Sequence, residues 1–336
     1  MLTPKQQGFF LPAEWEQHKA TWLAWPYDTT SFPDRVEKVE QVYASIIYHL
    51  HKTELIELLV LDKAMQSRAL SLLKQYHIDL NRIIFHIVDY ADVWTRDYGP
   101  IFLINKEQKL AWTKWRYNAY GEKFLDLLKD DKVVYQLRDY INLPNFQIDM
   151  VLEGGAIDTN GQGILLTTEQ CLLNPNRNNL TKPEIEKNLQ QYLGIKEIIW
   201  LKQGLINDHT DGHIDQITRF VSHDTIAIAY EDDQNDPNFA VLNENYRILQ
   251  NYPFNLIKLP LPKMQYADSS RAPVSYTNFY LANELVLVPQ FKDFRDKQAL
   301  DIIQSLFPER KAIGIDCTDL IYGGGAVHCI TREQPM

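Results

Sequence analysis

Apolar residues recur along this chain in two rhythms. At three- and four-residue spacing, Val36, Val39, Val42, Ile46, Ile47 and Leu50 mark one face of a helix over 34–52, with Asp34 placed to cap its first turn. The same spacing predicts helices over 64–76, 122–140, 182–193, 239–250 and 297–307. The clearest is Lys182–Leu193, where Thr181 and Glu184 form a T-x-x-E capping box and Gly194 suits the left-handed residue that ends a helix. Short apolar runs predict strands over 20–26, 55–61, 82–88, 197–201, 285–289 and 312–315. Asn160-Gly161, between Ile157 and Ile164–Thr167, predicts a hairpin. His213–Val221 and Thr225–Tyr230 read as strands paired across a Ser-His-Asp turn, and Val327–Thr331 as the last strand.

Six helices among more numerous short strands predict mixed α/β units rather than one doubly wound sheet. A length of 336 residues allows about two domains, yet single repetitive folds also reach it. No Gly/Ser/Pro-rich linker divides the chain, and no repeat is visible by residue identity. The net charge of −10 argues against a nucleic-acid binder and mildly favours a cationic ligand. An aromatic content of 12% implies a large core or an aromatic-lined pocket. Three cysteines, Cys171, Cys317 and Cys329, make no disulfide framework and fit a reducing compartment. No apolar run suits a signal peptide or a membrane span, so a soluble, cytoplasmic protein without a membrane partner is expected. Neither G-x-G-x-x-G nor a P-loop occurs, which leaves nucleotide binding without support.

Four segments carry candidate chemistry. In Trp94-Thr-Arg-Asp-Tyr-Gly-Pro100, Asp97 lies beside Arg96 and before a Gly-Pro breaker; it is either a turn aspartate paired at the surface or a carboxylate aimed into a cleft. In Leu152-Glu-Gly-Gly-Ala156, paired glycines after Glu153 admit a close approach of ligand or backbone, or simply a bulge. In 207–215, His213 and Asp215 share a face if the segment is a strand, so the carboxylate can orient the ring and raise its pKa. His209, His213 and Asp215 also resemble metal-ligand spacing, although Asp211-Gly212 breaks the helix that such a pair normally needs. In Gly323–Thr331, three glycines precede Cys329, a turn whose N–H groups favour a thiolate. Cys171 and Cys317 lack such a setting and read as core thiols. One Cys, one His and at least three carboxylates together suit covalent catalysis on a cationic, planar guanidinium.

The sequence resembles the agmatine deiminase and bacterial peptidyl-arginine deiminase family of guanidine-modifying enzymes. The resemblance runs nearly end to end. It includes Leu11–Glu16, Thr21–Pro26, WTRDYGP, VLEGGAID, Leu165–Asn178, HTDGHID, Ser275–Tyr280, Val288–Phe291 and GGGAVHCIT. It implies a five-bladed, pseudo-five-fold α/β propeller of ββαβ units, with the site in its central channel and residues 1–336 forming one catalytic domain. It places the nucleophile on Cys329, the general acid/base on His213 and the guanidinium-binding aspartates on Asp97 and Asp215. It gives Glu153 contact with both His213 and substrate, and it adds Trp94 and His209 as substrate contacts. The implied reaction hydrolyses a guanidine to a ureido product and ammonia, with no metal and no organic cofactor; a homodimer stays open as the assembly. Two positions depart from many agmatine deiminases. An acidic residue is usual where this chain has His209, and Asn where it has Ala326. Both bear on the substrate's far end rather than on the guanidine. Agmatine is therefore the first expectation. The alternatives are arginine or peptidyl-arginine deimination, amidino transfer to an amine, a metallohydrolase built on His209, His213 and Asp215, and a non-catalytic guanidine binder.

Overall fold

The computed structural model describes residues 2–336. Its strands form five separate sheets of three or four strands each. One pattern recurs in all five: a strand, an antiparallel neighbour, a helix, and a return strand parallel to that neighbour. Thr218–Phe220 lies antiparallel to Thr225–Tyr230, and helix Phe239–Leu249 leads to the parallel Asn255–Pro260. Tyr280–Leu281, Leu285–Gln290, helix Asp296–Leu306 and Lys311–Asp316 repeat it. So do Asp158–Thr159, Ile164–Thr168, helix Lys182–Leu193 and Glu197–Leu201. Ile101–Asn105, Leu110–Arg116, helix Val133–Ile141 and Asn145–Val151 form a fourth unit, widened by Phe9–Phe10. In the fifth, the antiparallel strand comes from the far end of the chain. Arg332–Pro335 pairs with His18–Ala24, which runs parallel to Leu55–Val60 through helix Val36–Leu50, with Ile83–Ile87 added beyond. The first and last units of the chain are thereby stitched together.

The middle strands explain why the repeat was invisible by identity. Ile226–Ala229 and Val286–Pro289 are buried throughout, as expected for strands covered on both faces. Such positions demand only apolar bulk, so the units share a pattern and not residues. Helix Lys182–Leu193 has the reciprocal capping box of Thr181 and Glu184 and ends at Gly194, with φ of +70°. No helix among the described residues is long and apolar enough to cross a membrane.

Three local expectations fail, each for a stated reason. Asp34 does not cap its helix; it takes a φ of +56°, and Arg35 precedes the first turn without a side-chain cap. The helix over 122–140 splits into a 3-10 stretch, Leu125–Lys132, and an α-helix, Val133–Ile141, because the chain enters it through positive φ at Tyr120, Gly121 and Glu122. Val327–Thr331 is a turn, in which Thr331 Oγ1 bonds Val327 O at 2.9 Å, and the strand begins one residue later at Arg332.

Candidate active site

The four segments singled out in sequence meet. Asp97 sits on the one-turn helix Thr95–Tyr98, whose preceding loop is pinned by Trp94 Nε1 bonding Asp92 at 2.8 Å. Asp97 Oδ1 accepts the Gly155 N–H at 2.9 Å and stands 3.7 Å from His213 Nδ1, while Oδ2 accepts the Tyr120 hydroxyl at 2.8 Å. Gly155 is required there. A Cβ on it would lie 2.6 Å from His213 Nδ1, 2.9 Å from Asp97 Oδ1 and 3.1 Å from Asp215 Oδ2. The bare glycine therefore lets the backbone approach all three groups closely.

His213 and Asp215 are close, but not as strand residues. His213 precedes a 3-10 turn, Ile214–Gln216, which contains Asp215. The His213 N–H bonds Asp208 Oδ2 at 3.2 Å, and Gly212 takes a φ of +85° against the backbone of Gly204, so the segment turns before it can extend. Strand structure starts only at Thr218.

Cys329 lies behind the glycine turn. A Cβ on Gly325 would come within 2.6 Å of Trp94 Cζ3 and 2.8 Å of Cys329 Cβ, so glycine lets the turn pass between them. Cys329 Sγ receives the Asn278 amide at 3.2 Å and lies 3.7 Å from Asp215 Oδ2. Glu153 is fully buried; Arg177 Nε holds its Oε1 at 2.6 Å, and Arg177 also reaches Asp211 at 2.6 Å.

The electrostatics are those of a buried, carboxylate-rich cluster. Burial raises Asp97, and Asp215 and Glu153 add to it against the opposing pull of His213. Burial alone would push His213 down, but Asp97, Cys171 and Glu153 hold it well above its ordinary value. Burial would likewise raise Asp215, yet the His328 hydrogen bond and charge bring it below the usual range. The glycine turn was expected to favour a Cys329 thiolate. In the protein alone the reverse holds: burial, then Asp215 and Asp97, push the thiol well up, against the opposing Ala326 N–H and Asn278.

Other expectations need adjusting. His209 packs its ring on Gly324, with Tyr120 and Phe124 5.9 and 5.4 Å away, and burial pushes its pKa down. It lies at the edge of the cluster and is no partner of Asp215. Among the described residues one group has metal-ligand spacing, Glu153, Cys171 and His213, which includes neither His209 nor Asp215. Cys171 and Cys317 are both buried in apolar clusters, as core thiols are, and Cys171 in addition lies beside Glu153 and His213. Trp94 is buried against Phe32 and the glycine turn. Sequence reasoning gave no role to Asn278, Arg177, Glu14 or His328, although all four fall inside segments that carry the resemblance. Tyr120 had no signal at all.

Residues 10–335 match the Porphyromonas-type peptidyl-arginine deiminase family. A Legionella pneumophila protein named "Putative agmatine deiminase" is 36% identical over 341 residues, covering 99% of this chain and 96% of its own. The solved agmatine deiminase of Enterococcus faecalis superposes with a TM-score of 0.93 at 28% identity, covering 100% of this chain and 98% of that one. A Porphyromonas gingivalis structure described as a "Putative Arginine Deiminase" gives 0.89 at 31% identity, covering 97% and 98%. Fold and relatives define the class: a hydrolase acting on C–N bonds of linear amidines. Within that class, the chain belongs to the Porphyromonas-type peptidyl-arginine deiminase family.

Proposed function

We propose that this enzyme hydrolyses agmatine to N-carbamoylputrescine and ammonia through a covalent intermediate on Cys329. On this reading the chain is one catalytic domain, and the five ββαβ units are blades of a propeller around the site. The observation that carries the reaction is the convergence of Asp97, His213 and Asp215 on the Cys329 side of the fold, with Gly155 letting the backbone pack directly against all three.

Asp97 and Asp215 bind the guanidinium as charge-assisted pairs and hold its carbon against Sγ. The cation offsets the two charges that keep the thiol protonated, so thiolate forms with substrate bound. Sγ attacks the guanidine carbon, and a tetrahedral adduct forms. Protonated His213 gives its proton to the terminal nitrogen, the C–N bond breaks and ammonia leaves. A thiouronium bearing the substrate tail remains on Cys329. Neutral His213 then takes a proton from water, whose oxygen attacks the same carbon. The C–S bond breaks, the remaining hydroxyl proton passes to solvent, and the ureido product and the thiolate are released. Glu153, anchored by Arg177, orients His213 and accepts from the guanidinium.

Agmatine is preferred over arginine because the cations near the pocket edge are already paired. Lys123 bonds Asp211 at 2.5 Å and the His209 carbonyl at 2.8 Å, which leaves it committed before an α-carboxylate arrives. Trp94 and His209 then face the aliphatic tail. The test is ammonia and ureido release from agmatine, free arginine and arginyl peptides. Agmatine should show the highest kcat/KM; faster turnover of an arginine substrate moves the assignment to peptidyl-arginine or arginine deimination.

A further inference from the structure

Cys171 has no step in the proposed reaction, yet the fold brings it to the site. Thr168 caps the one-turn helix Glu169–Leu172, accepting the Cys171 N–H on its side chain at 3.2 Å. The Cys171 sulfur, a ring nitrogen of His213 and a carboxylate oxygen of Glu153 lie within 4.8 Å of one another, and all three side chains are buried. Glu153 Oε2 and His213 Nε2 have no hydrogen-bond partner among the described residues. Arg177 holds Glu153 Oε1 at 2.6 Å, and Asp97 stands at ion-pair distance, 3.7 Å, from His213 Nδ1. Outer partners of this kind are what orient metal ligands.

We infer that Cys171, His213 and Glu153 form a binding site for a thiophilic divalent cation, zinc above all, whose occupation silences the deiminase. A sulfur, an imidazole nitrogen and a carboxylate oxygen are a zinc donor set, whereas calcium and magnesium require oxygen ligands. Ligand atoms around a tetrahedral zinc stand about 3.5 Å apart, so the present span closes by side-chain rotation. Asp211, 2.6 Å from Arg177 Nη1, shares the Arg177 charge with Glu153. Binding exchanges the Cys171 thiol proton, and any proton on the bound His213 nitrogen, for the metal; nothing is oxidised or reduced. Bound in this way, His213 can no longer shuttle protons and Glu153 is withdrawn from substrate. The silencing rests on the function proposed above, but the binding does not.

The test uses metal-free, full-length protein with cobalt(II) as a spectroscopic probe and zinc as competitor. One equivalent of cobalt should produce a thiolate-to-metal charge-transfer band that zinc abolishes. Cys171→Ser and Cys171→Ala should lose the band and weaken zinc binding by about 100-fold or more, while Cys329→Ser keeps it. In unmodified protein, X-ray absorption of the zinc-loaded sample should show one sulfur with nitrogen and oxygen ligands around the metal, which removes any dependence on how the variants fold. Zinc should inhibit turnover at the concentration that fills the site. The inference is overturned if wild-type protein retains no zinc and shows no band. It is equally overturned if the band survives Cys171→Ser but vanishes in Cys329→Ser, because the metal then sits on the other thiol. Zinc binding in a protein without deiminase activity would refute the proposed function and leave the site standing.

Discussion

Two buried charge clusters meet across the same short segments, and they are finished differently. Neighbouring residues are dealt to opposite sides. Asp97 faces His213, while Arg96 faces Glu14 at 3.2 Å and Glu333 at 2.7 Å. Gly155 lies against His213, whereas a side chain on Gly154 would strike Arg332 and the Arg96 carbonyl. Cys329 joins Asn278 and Asp215, while His328 bridges Asp215 and Glu14 at 2.7 and 2.8 Å. On the Glu14 side, charge is answered by charge. Arg219 pairs with Glu14 and Asp158 at 2.9 Å each, and burial of Glu14 is overcome by Arg219, His328 and Arg96, which bring its pKa well below normal. On the Cys329 side, Glu153 Oε2, His213 Nε2 and Asp215 Oδ1 have no hydrogen-bond partner among the described residues. A buried polar group without a partner costs roughly 1–3 kcal/mol. On the Glu14 side Arg219 Nη2, Arg332 Nε and Glu333 Oε2 also lack a hydrogen bond, but these groups stand in ion pairs with one another and with Glu14. The carboxylates there are answered by arginines of the fold, whereas Asp97 and Asp215 have histidines as their ion-pair partners.

If that division holds, substitutions should separate activity from stability. The largest effect belongs to Cys329→Ser, which should abolish turnover because a hydroxyl is a far weaker nucleophile at neutral pH; its thermal midpoint should stay close to wild type. Glu14→Gln should do the opposite first. Removing one charge from a paired buried network costs about 3–5 kcal/mol, readable by urea unfolding. A wild-type unfolding curve for Glu14→Gln would erase the distinction.

Asp97→Asn comes next. It removes one charge-assisted pair with substrate, worth about 2–4 kcal/mol or roughly 30- to 1,000-fold in kcat/KM. Stability should not fall, since the lost carboxylate is one that burial and its neighbours disfavour. Near-wild-type kinetics would show that Asp97 only shapes the loop.

A smaller effect distinguishes the clusters by acid. Glu14 has a folded pKa below its ordinary 4.5, so the stability it supplies is present above that value and is lost as pH falls towards the folded one. Asp97 has a folded pKa above its ordinary 3.8, so acidification through that folded value relieves the protein instead. Unfolding free energies from pH 7 down should therefore fall less steeply in Glu14→Gln than in wild type, and more steeply in Asp97→Asn. Parallel curves for all three proteins would contradict the assignment.

Much of this architecture can be read from residues alone, where local chemistry decides it. The capping box of Thr181 and Glu184 fixes its own helix, and apolar runs fix the middle strands. Asp97, Glu153, His213, Asp215 and Cys329 stand out because glycines or breakers lie beside them, a setting that fits a turn as well as a site, and it is the family resemblance that gives them roles. The rest depends on partners far away in sequence. Nothing near His328 announces Glu14, 314 residues distant, and nothing near Cys171 announces His213. The His213–Asp215 pair read as a strand because alternation is a two-residue signal, and the Asp208 hydrogen bond that turns the chain is invisible to it. The Cys329 setting was read from its own glycines, whereas its ionisation is governed by Asp215 and Asp97 from other segments.

The sharpest test is to quench wild-type enzyme with acid during agmatine turnover and weigh the intact protein. Cys329 should carry an adduct equal to agmatine minus ammonia, located by peptide mapping and absent from Cys329→Ser. An adduct on Cys171 or Cys317, or full turnover by Cys329→Ser, would contradict a guanidinium-binding site with Cys329 as its nucleophile.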